Sequence, residues 1–452
     1  MNHSPDLGAI SNCVKALPAG SAPASGRFRT AMQACSRGLA LAVGFSIPLS
    51  TSLAEILMGL FLAACVFSGD FSAKWKLIWR NPLARRSGAM FAVLVVGLFY
   101  SSGGWREAFN CLLKYREFLY VPMFAVAFDE PRQRIRGVRA FMLGTLLLMS
   151  LSYIEYLFGV DWGLASTVGQ GPVASAGYVT FKDRIVHNLL VSLLVYLLAD
   201  EFLRASRWRW LYGAAIVLAV VNIFCLVQGR TGYLVSGVLT VLFLMQRFQF
   251  RGAVYAGLVM AAAGGGGYAL SPVIQARVDA TVVQIQNHFG SEKKRSPDPR
   301  LEFYETTLAL VARHPLWGTG TGSFEGQYRT EAGRTGAPVT DDPHCEYLLL
   351  AVQTGLIGVA LFVSLLWSLG RSARRLPPAE AAAARGAAAA LAAGCLFNSL
   401  ILSFTGGLLF GYFTGLAAGG LVDLGRMTGA ASPGPIATDL APGLSVERTR
   451  AA

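Results

Sequence analysis

Three arginines and one histidine stand where their chemistry is hardest to explain as decoration. Arg184 ends the stretch TFKDR at the start of an apolar run. Arg230 sits in QGRTG, a very short turn between two apolar runs. Arg300 opens RLEFYETTLALVARHPLWGTGTGSF. A guanidinium beside hydrocarbon is costly and normally has a partner or a job. Its planar fork takes phosphate oxygens in pairs and stays charged at any pH, so a lipid pyrophosphate is a matching partner. The structural alternative is that each arginine snorkels to headgroups or pairs with a nearby carboxylate such as Asp183 or Glu302. His344 begins HCEYLLLAVQTGLIG, where polar sequence turns back into apolar sequence. Imidazole accepts a proton near neutral pH when it sits beside the proton it must take. Asp341, Asp342 or Glu346 would orient it; the alternative is an interfacial histidine capping the helix that follows. His187, one helical turn after Arg184, is a further candidate for the same cavity.

Asp341 and Asp342 could instead bind a divalent cation through carboxylate oxygens. Two adjacent acids without a further cluster suit a solvated pair at a helix start better, and no metal site is expected. The chain has no P-loop, GxSxG, CxxC or HExxH, so nucleotide hydrolysis and zinc chemistry have no support. The glycines at 264–267 fall at the end of an apolar run and read as close packing or a kink.

The elements that must position these residues are membrane spans. Of 452 residues 54% are hydrophobic and 14% charged, against about 25% charged in soluble domains. In such a chain the net charge of +13 reflects basic loops on one membrane face rather than nucleic-acid binding. Seven cysteines, with Cys65, Cys225 and Cys395 inside apolar runs, make no disulfide framework, and no cleavable signal peptide is expected.

Hydropathy predicts an all-α polytopic membrane protein of about twelve transmembrane helices. Residues 1–36 read as a disordered cytoplasmic tail, 37–270 as spans one to nine, 271–343 as a large extramembrane segment, 344–424 as spans ten to twelve, and 425–452 as a second disordered tail. Arg and Lys crowd into alternate loops at 70–86, 129–139, 201–209, 247–251 and 371–375. That alternation puts both termini in the cytoplasm, and the large segment, the 159–184 loop and the QGRTG turn together on the outer face. In the large segment Val273 to Phe289 reads as a helix. A second begins at Asp298-Pro299, places Leu301, Tyr304, Leu308 and Val311 on one face, and ends near His314-Pro315. WGTGTG then reads as a flexible turn.

QGRTGYL, RLEFYETTLALVARHPLWGTGTGSF and HCEYLLLAVQTGLIG, in this order and around a large outer loop, resemble the O-antigen ligase and polymerase superfamily (the WaaL/Wzy group). Gln353 occupies a position that is usually acidic there. The resemblance implies a fold like that of the C-type glycosyltransferases. It implies a glycosyltransferase at the periplasmic face of a Gram-negative inner membrane, which takes an O-antigen glycan from undecaprenyl pyrophosphate in lipopolysaccharide biosynthesis. The acceptor is lipid A–core oligosaccharide for a ligase and another repeat unit for a polymerase. No cofactor, nucleotide or metal is implied. The family's functional residues carry over onto Arg184, Arg230 and Arg300 for the pyrophosphate and His344 as catalyst. A protein oligosaccharyltransferase is a further enzymatic alternative. A lipid-linked glycan transporter is the alternative of another class, since twelve spans suit secondary transporters.

Overall fold

The computed structural model describes residues 24–160, 178–179, 181–270, 275–276, 278–279, 282–283, 286 and 299–430. Every regular element among them is helical. In chain order these are α1 (Ala24–Ser46), α2 (Thr51–Phe67), α3 (Phe71–Arg80), α4 (Pro82–Phe99), α5 (Trp105–Lys114), α6 (Tyr120–Ala127), α7 (Pro131–Phe158) and α8 (Arg184–Arg204). Then come α9 (Arg209–Val221), α10 (Arg230–Phe248), α11 (Phe250–Leu270), α12 (Arg300–Arg313), α13 (Phe324–Thr335), α14 (Glu346–Ser372), α15 (Pro378–Gly394) and α16 (Phe404–Ala430). Among the described residues seven helices are long and apolar enough to cross a membrane: α4, α7, α8, α9 with the π turn that extends it to Leu226, α10, α14, and α16. The architecture is that of a polytopic helical membrane protein.

Several helices start earlier than hydropathy suggests, because polar first turns are helical too. The α1 helix begins at Ala24, which shortens the tail expected over 1–36, and α16 runs on to Ala430. Asn81 caps α4 by accepting from the amides of Leu83 and Ala84, with Pro82 at the first helical position. Arg85 and Arg86 therefore lie inside a helix rather than in a loop. The stretch 129–139, expected as a basic loop, is the first turns of α7. Its Arg134 is buried, 2.8 Å from Glu380 of α15 and 3.1 Å from Asp423 of α16. A 3₁₀ turn at Arg116–Leu119 separates α5 from α6.

The polar contacts between elements sort into two ends. At one end Arg37 pairs with Asp129 and Glu130, Lys74 donates to the Cys65 carbonyl, Asn81 to Ala418, and Arg134 joins Glu380 and Asp423. At the other, Ser101 donates to the Thr321 carbonyl, Asn188 to Val227, and Ser399 to Asp342. The basic stretches 70–86 and 129–139 thus lie at the end opposite Thr321 and Asp342.

The centre of the bundle is α16 against the 117–128 stretch. Gly407, Gly411, Gly415 and Gly419 recur every four residues, so they share one face. A Cβ on them would meet, in turn, Glu117, Tyr120, Phe124 and Phe128. Small residues at this spacing let two backbones approach closely in a membrane. The run at 264–267 does something else: α11 continues through it, and a Cβ at Gly264, Gly265 or Gly266 would meet nothing within 4 Å. At these three glycines no close approach is made. The helix expected over Val273–Phe289 lies largely outside the described residues.

Candidate functional site

The site is built on a break in α14. Gly355 has φ 65° and ψ −167° inside an otherwise helical run, which leaves the carbonyls before it without helical donors. The turn after α12 supplies them. The Thr319 amide donates to Val352 (2.7 Å), that of Gly320 to Gln353 (2.9 Å), and the Leu356 amide donates back to Pro315 (2.8 Å). Gly318, Gly320 and Gly322 all have positive φ, and a Cβ at Gly320 would collide with the Ser101 backbone after α4. WGTGTG is therefore a fixed knot between α4 and α14, not the flexible turn expected from its glycines. Gln353 explains its own departure from the usual acid. Its Oε1 accepts from the Gly322 amide (2.7 Å) and the Cys111 thiol (3.1 Å), so the position uses an acceptor oxygen and needs no charge.

The knot fixes where α14 begins, and His344 lies just ahead of it. This histidine has φ 55°, a left-handed conformation uncommon for a residue with a side chain. Three neighbours hold it there. Its amide donates to Asp342 Oδ1 (2.8 Å), its carbonyl lies 3.2 Å from the Tyr304 hydroxyl, and its ring is 6.0 Å from that of Phe303. Asp342 Oδ1 also accepts from the Ser399 hydroxyl (2.6 Å), while Oδ2 lies 3.8 Å from His344 Nδ1. The imidazole itself is about one-third exposed, open to a partner. Of the acids considered beside it, Asp342 is the one that touches it. Asp341 is exposed. Glu346 is fully buried and turned away, accepting from the Tyr115 hydroxyl (2.9 Å) and the amides of Ile401 (2.9 Å) and Leu402 (3.3 Å). It braces the 395–403 connection, which in turn carries Ser399. Among the described residues no three of His, Cys, Asp and Glu cluster as metal ligands would.

The α12 helix begins at Arg300 and ends at Arg313, as the Asp-Pro and His-Pro pairs predict, but its buried face is Phe303, Thr306, Thr307 and Leu310; Leu308 is exposed. The face is rotated by about one residue because the helix packs on α13 and α14 rather than on a flat apolar surface. Phe303 and Leu310 join Phe324, Tyr328 and Ala332 of α13 and Leu349 and Val352 of α14 in one small core. Arg313 pairs with Glu331 of α13 at 2.7 Å. Arg300 thus starts a helix whose next turn, through Phe303 and Tyr304, touches His344.

Arg184 and Arg230 also stand at first helical positions, of α8 and α10. These helices pack side by side: Asn188 donates to the Val227 carbonyl at 2.7 Å, and a Cβ at Gly232 would strike the Asn188 side chain. Neither α10 nor α12 has a side-chain cap, so each arginine is accompanied by amides that point out of a helix start. On α8 Asp183 takes that role, accepting from the amides of Ile185 (2.9 Å) and Val186 (3.1 Å). His187 does not join His344. It is fully buried, with Nε2 2.8 Å from Asn222 Oδ1 in the π turn, and Asn222 donates on to Ser152. It is a bundle residue that pins α8 to α9 and α7.

Arg184 and Arg230 thus open two helices that pack side by side, and Arg300 opens the helix that reaches His344. Lys182, which sequence reading missed, is a buried cation beside the start of α8. Two residues before Arg184, it reaches Thr51 at the start of α2 and Thr405 at the start of α16, each at 3.1 Å. Thr405 follows directly on the connection that holds Asp342 and Glu346. The signal was present in TFKDR, a lysine at a span start outside the basic loops.

A search of curated proteins returns no match for the chain. The family model of the O-antigen ligases (Wzy_C) matches residues 214–363. That stretch contains Arg230, Arg300, the GTGTG knot and His344, and over it the chain is similar to the O-antigen ligases.

Proposed function

We propose that the chain is an O-antigen ligase, which moves a glycan from undecaprenyl pyrophosphate to lipid A–core oligosaccharide at the periplasmic face of the inner membrane. The observation that carries this reading is the setting of His344. It is an imidazole about one-third exposed on a left-handed backbone, held by Asp342 and by Tyr304, which lies one helical turn after Arg300. A residue kept in so sparsely populated a conformation is a reason to look for function there.

The reaction is a single displacement with inversion. His344 takes the proton of the acceptor hydroxyl as that oxygen bonds to the anomeric carbon. The bond from that carbon to the phosphate oxygen breaks, and its electrons leave with the pyrophosphate. Arg184, Arg230 and Arg300 bind the pyrophosphate and offset the charge that grows on the leaving oxygen, as preorganised cations in a water-poor site do. The isoprenoid has a suitable path. A cavity of about 540 Å³ runs between α8, α9, α10 and α11, lined by Val195, Ile223, Phe224, Tyr233 and Phe243. Tyr233 is one turn from Arg230.

The test is transfer by purified protein from undecaprenyl-pyrophosphate glycan to lipid A–core, with EDTA and without nucleotide, read as a band shift. General bases contribute ~10²–10⁴ in rate, so His344→Ala is expected to lose at least that while still binding donor. Normal transfer by that variant removes His344 from the mechanism. Growth of the donor glycan with lipid A–core left bare makes the chain a polymerase, and glycan on protein makes it an oligosaccharyltransferase. Movement of donor across vesicles without any product makes it a transporter.

A further inference from the structure

Lys182 is a buried cation that the mechanism above leaves unused. It is buried, 8% exposed, between the starts of α2 and α16. An ammonium has three donors, and two of them are occupied by the hydroxyls of Thr51 and Thr405. Among the described residues no carboxylate lies within ion-pair distance of it. The acid next to it, Asp183, is engaged in capping α8. Burial pulls the amine down to about 8, a shift that Asp183 only partly opposes. A buried charge held by two neutral hydroxyls costs stability, and the protein interior normally supplies it with a counter-charge.

Its place says what the counter-charge is. On one side Lys182 is two residues from Arg184. On the other, through Thr405, it abuts the connection whose Ser399 and Ile401 hold Asp342 and Glu346. A lipid-borne anion bound at the start of α8 would supply that counter-charge. We propose that Lys182 is a fourth cation of the pyrophosphate site, whose third N–H donates to a phosphate oxygen of the lipid-linked donor. The proposal rests on the transferase reading above. Thr51 and Thr405 then act as positioning residues that aim the ammonium without neutralising it, which a carboxylate in their place would do. The compact, three-donor ammonium complements the planar forks of the arginines, since it can approach one oxygen from any direction.

The test is binding of undecaprenyl pyrophosphate to purified full-length protein in detergent, by calorimetry, for the wild type, Lys182→Met and Lys182→Arg. A hydrogen bond to a charged group is worth enough that its loss weakens binding roughly ten- to hundredfold. Lys182→Met should show that loss together with a raised donor KM in transfer, and Lys182→Arg should recover part of both. Undiminished affinity in Lys182→Met, when the wild type binds, overturns the role of Lys182 and leaves the proposed function standing. A wild type that neither binds the lipid nor transfers glycan takes both down. If Lys182→Met does not fold, acylation of the wild type by acetic anhydride decides, with modification at Lys182 read by mass spectrometry. Protection of Lys182 by the pyrophosphate lipid supports the contact, and equal labelling with and without it rejects the contact.

Discussion

At the scale of single residues, the site is a set of side chains whose partners come from far along the chain. Asp342 illustrates it. One oxygen accepts from the His344 amide and the Ser399 hydroxyl, and the other lies 3.8 Å from the imidazole. Asp342→Asn keeps the acceptor for the backbone but removes the charge that would stabilise an imidazolium. It is therefore expected to lower kcat by about tenfold or more, short of the full general-base contribution, with donor affinity unchanged. Ser399→Ala should have a smaller effect in the same direction. Steady-state transfer kinetics check both, and a variant that changes only donor KM would place Asp342 in binding instead. How much of this was legible follows from what each residue does. His344 and the three arginines could be picked out because their chemistry is conspicuous in apolar sequence. Asp342 could be named only as one of three acids, because Asp341, Asp342 and Glu346 differ in which way the chain turns, and that turn is set by the 395–403 connection some fifty residues later. Lys182 was hidden because a lysine at a span end ordinarily snorkels to headgroups, and its burial depends on Thr51 and Thr405 from opposite ends of the chain.

At the scale of elements, helical segments were readable from hydropathy and from Asp-Pro and His-Pro punctuation, while breaks inside them were not. Nothing local distinguishes Gly355 from Gly358, three residues on. Gly355 breaks the helix because the knot from 315–323 arrives to take the carbonyls of Val352 and Gln353, a partnership between separate elements. The glycines of WGTGTG suggested looseness for the same reason: their positive φ values serve a close approach that only the folded chain displays. Gly320 is the most constrained of them, with φ 97° and the Ser101 backbone where a Cβ would sit. Gly320→Ala is therefore expected to destabilise the protein by about 1–3 kcal/mol from backbone strain alone, with more from the collision. Because α12 and the start of α14 hang from the knot, the variant should also lose transfer activity beyond what its folded fraction accounts for. Thermal unfolding and the specific activity of the folded fraction separate the two effects. Wild-type stability in Gly320→Ala would mean that the 315–323 turn can rearrange without cost, and that His344 is not positioned by it.

At the scale of the whole molecule, the two ends divide the work. The end with the GTGTG knot carries Arg184, Arg230 and Arg300, each at least partly exposed, together with the buried Lys182 and with His344. The opposite end holds a closed ionic lock in which Arg134, 1% exposed, meets Glu380, fully buried, and Asp423, and also donates to the carbonyls of Phe128 and Asp129. This lock ties α7, α15 and α16 together, and α15 and α16 flank the connection that carries Ser399 and Ile401 at the far end. A buried ion pair is weak evidence for net stability, but breaking one partner out of it costs about 3–5 kcal/mol because a charge is left without its complement. Glu380→Ala should therefore lower thermal stability sharply. Replacing both partners, Arg134→Met with Glu380→Met, should recover most of the loss, as apolar substitutes of similar volume often do. Neither change touches a residue of the opposite end, so transfer measured per folded molecule should be unaltered in both variants at temperatures where they remain folded. A fall in specific activity that the double replacement does not repair would show that the lock does more than hold the bundle, and that the two ends are coupled through α15 and α16.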